Sequence, residues 1–136
     1  MPNMLWAIVG DIIVVANGQQ IPTDAEWDAY LKFVGEHLAS APPRAVVFSE
    51  GGGPTPAQRR RLYDLTSNSA GRVAVLTNSV MGRGITNAVQ IASPYTYRMF
   101  ARVEMADALA FLEEPAEAGE RIEQEGDRLL AALKQP

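Results

Sequence analysis

The stretch that decides the fold is Arg44-Ala45-Val46-Val47-Phe48-Ser49-Glu50-Gly51-Gly52-Gly53-Pro54-Thr55-Pro56, echoed by Arg72-Val73-Ala74-Val75-Leu76-Thr77-Asn78-Ser79-Val80. Twice, a short apolar run (Ala45 to Phe48, Val73 to Leu76) ends in small polar residues and leads into a helix-forming segment. Uninterrupted apolar runs of this length, followed by helices, indicate central strands of a parallel sheet built from β-α units. Thr55 is a favourable N-cap, Pro56 suits the first helical position and Gln58 completes a capping box. Leu62 and Leu65 are then expected to face the sheet. The second unit predicts a helix whose buried face is Ile85, Ala88, Val89 and Ala92. Gly82 and Gly84 cost that helix about 1 kcal/mol each against alanine.

Upstream, two β-rich runs, Met4 to Val9 and Ile12 to Ala16, flank Gly10-Asp11, a two-residue connection suited to a tight primed turn. The first strand should therefore lie antiparallel to the second at one edge of the sheet. Thr23 stands three residues before Glu26, a capping-box spacing that opens a helix with the stripe Trp27, Tyr30, Leu31, Val34 and Leu38. Pro42-Pro43 ends it. Downstream, Tyr97 to Val103 alternates, with Arg98 and Arg102 on one face, as an edge strand would. A short helix, Met105 to Leu112, should turn Ala108, Leu109 and Leu112 inward. Pro115 opens a last helix with Gly119, Ile122, Gly126, Leu129 and Leu133 on one seam.

The expected fold is α/β: a two-layer, mostly parallel (βα)n sheet with an antiparallel N-terminal edge strand and an extra C-terminal helix. Right-handed crossovers put the crossover helices on one face, so the last helix or a partner must cover the other. Residues 1–114 are read as the α/β domain, and 115–136 as an acidic helix packed on it or on a partner. At 136 residues and 47% apolar content, one domain suffices.

Charge and composition narrow the functions. Residues 1–112 carry nine basic and nine acidic side chains, and 113–136 three against seven, so the net charge of −4 belongs to the tail. That balance argues against nucleic acid, whose phosphates need a basic surface. The absence of cysteine excludes disulfides, thiolate metal sites and cysteine nucleophiles. No run approaches the ~18 apolar residues of a membrane span, and the expected location is the cytoplasm. His37, the one histidine, falls near a helix C-terminus and reads as a partly exposed side chain interacting with the helix dipole. The glycine run at 51–53 lacks the lysine of a P-loop, and Gly82-Arg83-Gly84 lacks the third glycine of a dinucleotide fingerprint. No Gly-x-Ser-x-Gly elbow occurs. No cofactor, metal or catalytic residue is expected, and Glu50 is the one conceivable base, beside a mobile glycine run.

Residues 4–112 resemble a STAS / SpoIIAA-like domain, the superfamily of bacterial anti-sigma-factor antagonists. The resemblance rests on element order and on Val73 to Ile85, Met99-Phe100 and Asp107 to Leu112. It implies a non-enzymatic regulatory domain that binds a protein partner, a second copy of itself included. The alternative it implies is a small-molecule or lipid-binding carrier, with an apolar pocket under the last helix. The antagonists' phosphorylatable Asp-Ser-Ser-Gly-like motif has no match here, and Ser49 and Thr55 are not carried over to it. Because helix N-termini present free N–H groups outside strand C-termini, the partner- or anion-binding site is expected there, at Ser49, Gly52, Thr55, Asn78, Ser79 and Arg83.

Overall fold

The computed structural model describes residues 2–37, 44–66, 71–78 and 96–134. Their strands form one sheet in the order β1-β2-β3-β4-β5: Met4–Val9, Ile12–Asn17, Arg44–Ser49, Arg72–Leu76 and Thr96–Phe100. β1 and β2 are an antiparallel hairpin closed at Val9 and Ile12, and Gly10 takes the positive φ (62°) that its tight turn requires. β2 to β5 are mutually parallel, with the apolar runs of β3 and β4 at the centre and the alternating β5 at the edge, as expected.

Alternation along the strands makes two buried faces. Ile13, Val15, Ala45, Val73 and Val75 pack under α1 (Asp24–His37) and α2 (Pro56–Leu65), against Trp27, Tyr30, Val34 and Leu62. Ile12, Val14, Val46, Phe48, Ala74 and Leu76 face the other way, under α3 (Met105–Phe111) and α4 (Ala118–Leu133). α3 contributes Ala108 and Leu109, with Leu112 just beyond its end, and α4 contributes Ile122, Leu129, Leu130 and Leu133. The last helix thus packs on its own sheet as a third layer. A Cβ at Gly126 would overlap the Phe48 ring, reaching 2.5 Å from Cδ2 and Cζ, so this glycine is what lets α4 approach. The seven acidic side chains of residues 113–136 are compatible with this docking because the seam is carried by glycine and aliphatic positions.

Two expectations are corrected and a third is extended. β5 ends at Phe100 and does not run on to Val103: Arg102–Glu104 form a 3-10 turn in which Glu104 accepts from the Ala101 amide (2.6 Å), and Val103 is 93% exposed. Leu65 is also exposed (43%). The buried stripe of α2 runs through Gln58 and Leu62 to Thr66, at spacings of four, and Thr66 secures it by donating to the Leu62 carbonyl (2.8 Å). Finally, the carboxyl of Glu26 does more than cap. Besides the Thr23 amide (2.9 Å), it accepts from the amides of Asn3 (2.7 Å) and Met4 (3.3 Å), tying β1 to α1. The helix expected over 80–92, with Gly82, Gly84 and Ile85, lies outside the described residues, as does Leu38.

Partial burial pushes the Glu26 carboxyl up, but the hydrogen bonds from Thr23, Asn3 and Met4 outweigh it and hold the group below its ordinary 4.5. A depressed folded value contributes stability above the unfolded value, and that contribution is lost as pH falls through the folded one. Glu26→Gln should therefore lower Tm at pH 7, and the gap to wild type should narrow below about pH 4.5. A gap independent of pH in thermal melts would show that the charge of Glu26 is not what ties the strand down.

Candidate functional site

The C-terminal ends of β2, β3 and β4 converge on one edge. On the α1/α2 side, strand parity places Asn17 after Ile13 and Val15, Ser49 after Ala45 and Val47, and Thr77 after Val73 and Val75. Asn17 and Ser49 are register partners. A polar row therefore closes an apolar floor. Beneath it lies a cavity of about 290 Å³, floored by Val15, Val47 and Val75 and walled by Trp27, Tyr30 and Leu62.

The loop after β3 is fixed, contrary to the mobile run expected of three glycines. The Glu50 amide donates to the Asn17 carbonyl (3.0 Å) and the Gly52 amide to the Gly18 carbonyl (2.8 Å), so the loop continues the sheet ladder by two bonds. Ser49 Oγ accepts from the Gly51 amide (3.1 Å) and donates to the Gly52 carbonyl (2.8 Å), folding the chain back on itself. Gly51 has φ 122°, which favours glycine. Gly52 is pressed onto the 18–20 segment, where a Cβ would stand 2.5 Å from the Gln20 carbonyl oxygen. Glu50 pairs with Lys134 at 3.1 Å, which makes the conceivable base an anchor for the end of α4.

Thr55 is the N-cap of α2. Its Oγ1 accepts from the Gln58 amide (3.1 Å), and Gln58 Oε1 accepts from the Thr55 amide (2.9 Å). Gln58 Nε2 also donates to the Pro22 carbonyl (3.0 Å), joining the cap to the start of α1. Thr55→Ala should cost about 1 kcal/mol in urea unfolding, the ordinary loss of an N-cap. A change below 0.3 kcal/mol, read against the same order-of-magnitude scale (roughly 0.5–2), would show that the box does not secure α2.

Of the residues expected at the site, Ser49 and Gly52 line the cavity. Thr55 flanks it in its capping box, and Asn78 lies further out, accepting from the Arg102 amide (3.3 Å). Ser79 and Arg83 lie outside the described residues. Sequence reasoning missed Asn17, which is 4% exposed and whose Oδ1 has no hydrogen-bond donor among the described residues. The signal was there: one polar residue, in phase with Ile13 and Val15, ends an apolar run. Ile21 was missed as well; it lines the cavity and is 57% exposed. Arg59 is the charged residue among the described lining, and its guanidinium donates to the Pro54 carbonyl (3.2 Å). His37 is remote from this edge, hydrogen-bonded to the Phe33 carbonyl at the C-terminal end of α1 (2.8 Å). Among the described residues no group of acidic or histidine side chains could hold a metal ion, and no helix is long and apolar enough to cross a membrane.

No protein-family model matches the chain, and no curated protein does. Among solved structures it is similar to an uncharacterized protein of the DUF3478 family with a SpoIIAA-like fold from Shewanella loihica PV-4. The TM-score is 0.61 at 15% identity, over 82% of this chain and 95% of the other. The fold is SpoIIAA-like, in agreement with the resemblance of residues 4–112.

Proposed function

We propose that this chain is a non-enzymatic, cytoplasmic regulatory domain that binds a protein partner at the C-terminal edge of its sheet. Ser49, Gly52, Thr55 and Asn78 belong to that surface, and Ser79 and Arg83 join it on the strength of the sequence. The observation that carries this reading is Ile21: an apolar side chain, 57% exposed, standing beside a loop held in one conformation. Such a rigid edge offers a partner an apolar anchor with little ordering cost on binding. The N-terminus of α2 opens nearby, and together with Arg83 it favours an acidic partner. A second copy of this chain is one such partner. The non-enzymatic reading is supported by the absence of cysteine and by the position of the one histidine away from the edge.

The test is recovery of a stoichiometric polypeptide with the tagged protein from its own cells, followed by titration of the purified pair. Ile21→Glu and Arg83→Glu are each expected to weaken the complex about tenfold or more at unchanged Tm. Arg121→Glu, an exposed position on α4, is the control. Arg44 is unsuitable for that purpose, because it pairs with Asp11 (2.8 Å) and Glu114 (2.7 Å) and its reversal would disturb the fold. Equal weakening by Arg121→Glu would overturn the placement of the surface.

A further inference from the structure

The cavity and the unpartnered acceptor of Asn17 carry an inference that is independent of the protein-partner reading. At about 290 Å³ the cavity has about twice the volume of an apolar cavity of ~150 Å³ that binds benzene, so its capacity is about two fused rings. Its wall presents aromatic surface: the Trp27 and Tyr30 rings stand 5.2 Å apart and tilted by 42°. Both engage aromatic guests through offset or edge-on contacts.

Much of the polarity lining the cavity is already engaged: Tyr30, Thr77 and Tyr97 each have partners. The Ser49 hydroxyl is consumed by Gly51 and Gly52, and the Arg59 guanidinium bonds the Pro54 carbonyl. The Asn17 carbonyl is taken by the Glu50 amide. Asn17 Oδ1, by contrast, is buried and has no donor among the described residues. A buried acceptor of this kind is costly in the free protein, and a ligand that donates to it recovers that cost on binding. With no carboxylate among the described lining residues, nothing there compensates a cationic guest.

We infer that the cavity is a binding site for a small, neutral, two-ring aromatic molecule carrying one N–H or O–H donor, which the side-chain amide of Asn17 receives.

Indole, 1-benzothiophene and decanoate are the probes, titrated into the full-length protein by calorimetry and by ligand-observed NMR. Indole should bind at about 0.1–1 mM, the range open to a fragment of its size. It should bind about tenfold more tightly than 1-benzothiophene, which has nearly the same shape but no donor. In Asn17→Leu that preference should fall to about onefold, while Tm is maintained or raised because the unpaired acceptor is gone. Should this variant fail to fold, the comparison of the two heterocycles on the wild-type protein decides. Equal affinity for the heterocycles, no indole binding at 1–2 mM (about the upper end of that range), or tighter binding of decanoate than of indole would each overturn the assignment. None of these outcomes bears on the partner surface, whose own test uses Ile21→Glu and Arg83→Glu.

Discussion

A chain cut after Glu114 is expected to lose its cooperative unfolding transition. The cut removes Ile122, Leu129, Leu130 and Leu133, all of them between 0% and 7% exposed in the intact protein. At roughly 1.5–3 kcal/mol for each buried aliphatic side chain, their loss amounts to about 6–12 kcal/mol, comparable with the whole net stability of a small domain. The shortened chain would also expose Phe48, Val14 and Ala16, and it would lose the ion pairs of Arg102 with Asp127 (2.8 Å) and of Glu50 with Lys134 (3.1 Å). Urea titration by far-UV circular dichroism should show a broad slope, accompanied by association at micromolar concentration. A sharp transition with a midpoint near that of the full chain would instead mean that residues 1–114 fold by themselves, as the division into a domain and an appended helix expects.

The sequence was most legible where one physical signal acted alone. The hairpin at Gly10, the stripe Trp27-Tyr30-Val34 and the runs Ala45 to Phe48 and Val73 to Leu76 each follow from local periodicity, and the strands and helix lie where it puts them. Local signals failed where two readings competed. Leu62 and Leu65 form a plausible apolar pair, but the helix turns by 100° per residue, and Gln58 and Thr66 continue the stripe of Leu62 better than Leu65 does. Tyr97 to Val103 alternates well enough for a strand, yet Glu104 reaches back to the Ala101 amide and converts its end into a turn. Contacts distant in sequence were not legible at all. Glu26 could be read as a capping-box residue, but not as the acceptor for Asn3 and Met4, 23 and 22 residues earlier. The same holds for the site. Ser49 and Gly52 could be placed by the rule that ligands gather outside strand C-termini. That Asn17 would be buried without a donor depends on where α1, α2 and the glycine loop close over it. The pocket expected under the last helix is another such case: Gly126 lets the Phe48 ring fill the space beneath α4, and the cavity lies on the opposite face.

The second large effect concerns the glycine loop, where three consecutive substitutions by alanine should differ in a fixed order. At Gly52 an added Cβ would lie 2.5 Å from the Gln20 carbonyl oxygen, 2.6 Å from that of Gly18 and 2.8 Å from the Gln19 carbonyl carbon. All three are backbone atoms, and none can yield by rotating a side chain. The loop must lift, breaking the bond from the Gly52 amide to Gly18 (2.8 Å), so a loss of about 2–3 kcal/mol is expected. At Gly51 the space is open and the obstacle is conformational: φ is 122°, a region that L side chains rarely adopt, and the cost should be about 1–2 kcal/mol. At Gly53 neither obstacle exists, because nothing lies within 4 Å and no positive φ is required. Gly53→Ala should be neutral to within about 0.5 kcal/mol, or slightly stabilising through the unfolded chain. Urea midpoints of the three variants, measured together, test the order. Equal losses at Gly52 and Gly53 would mean that the loop is not seated on residues 18–20, and the fixed edge on which the partner surface depends would go with it.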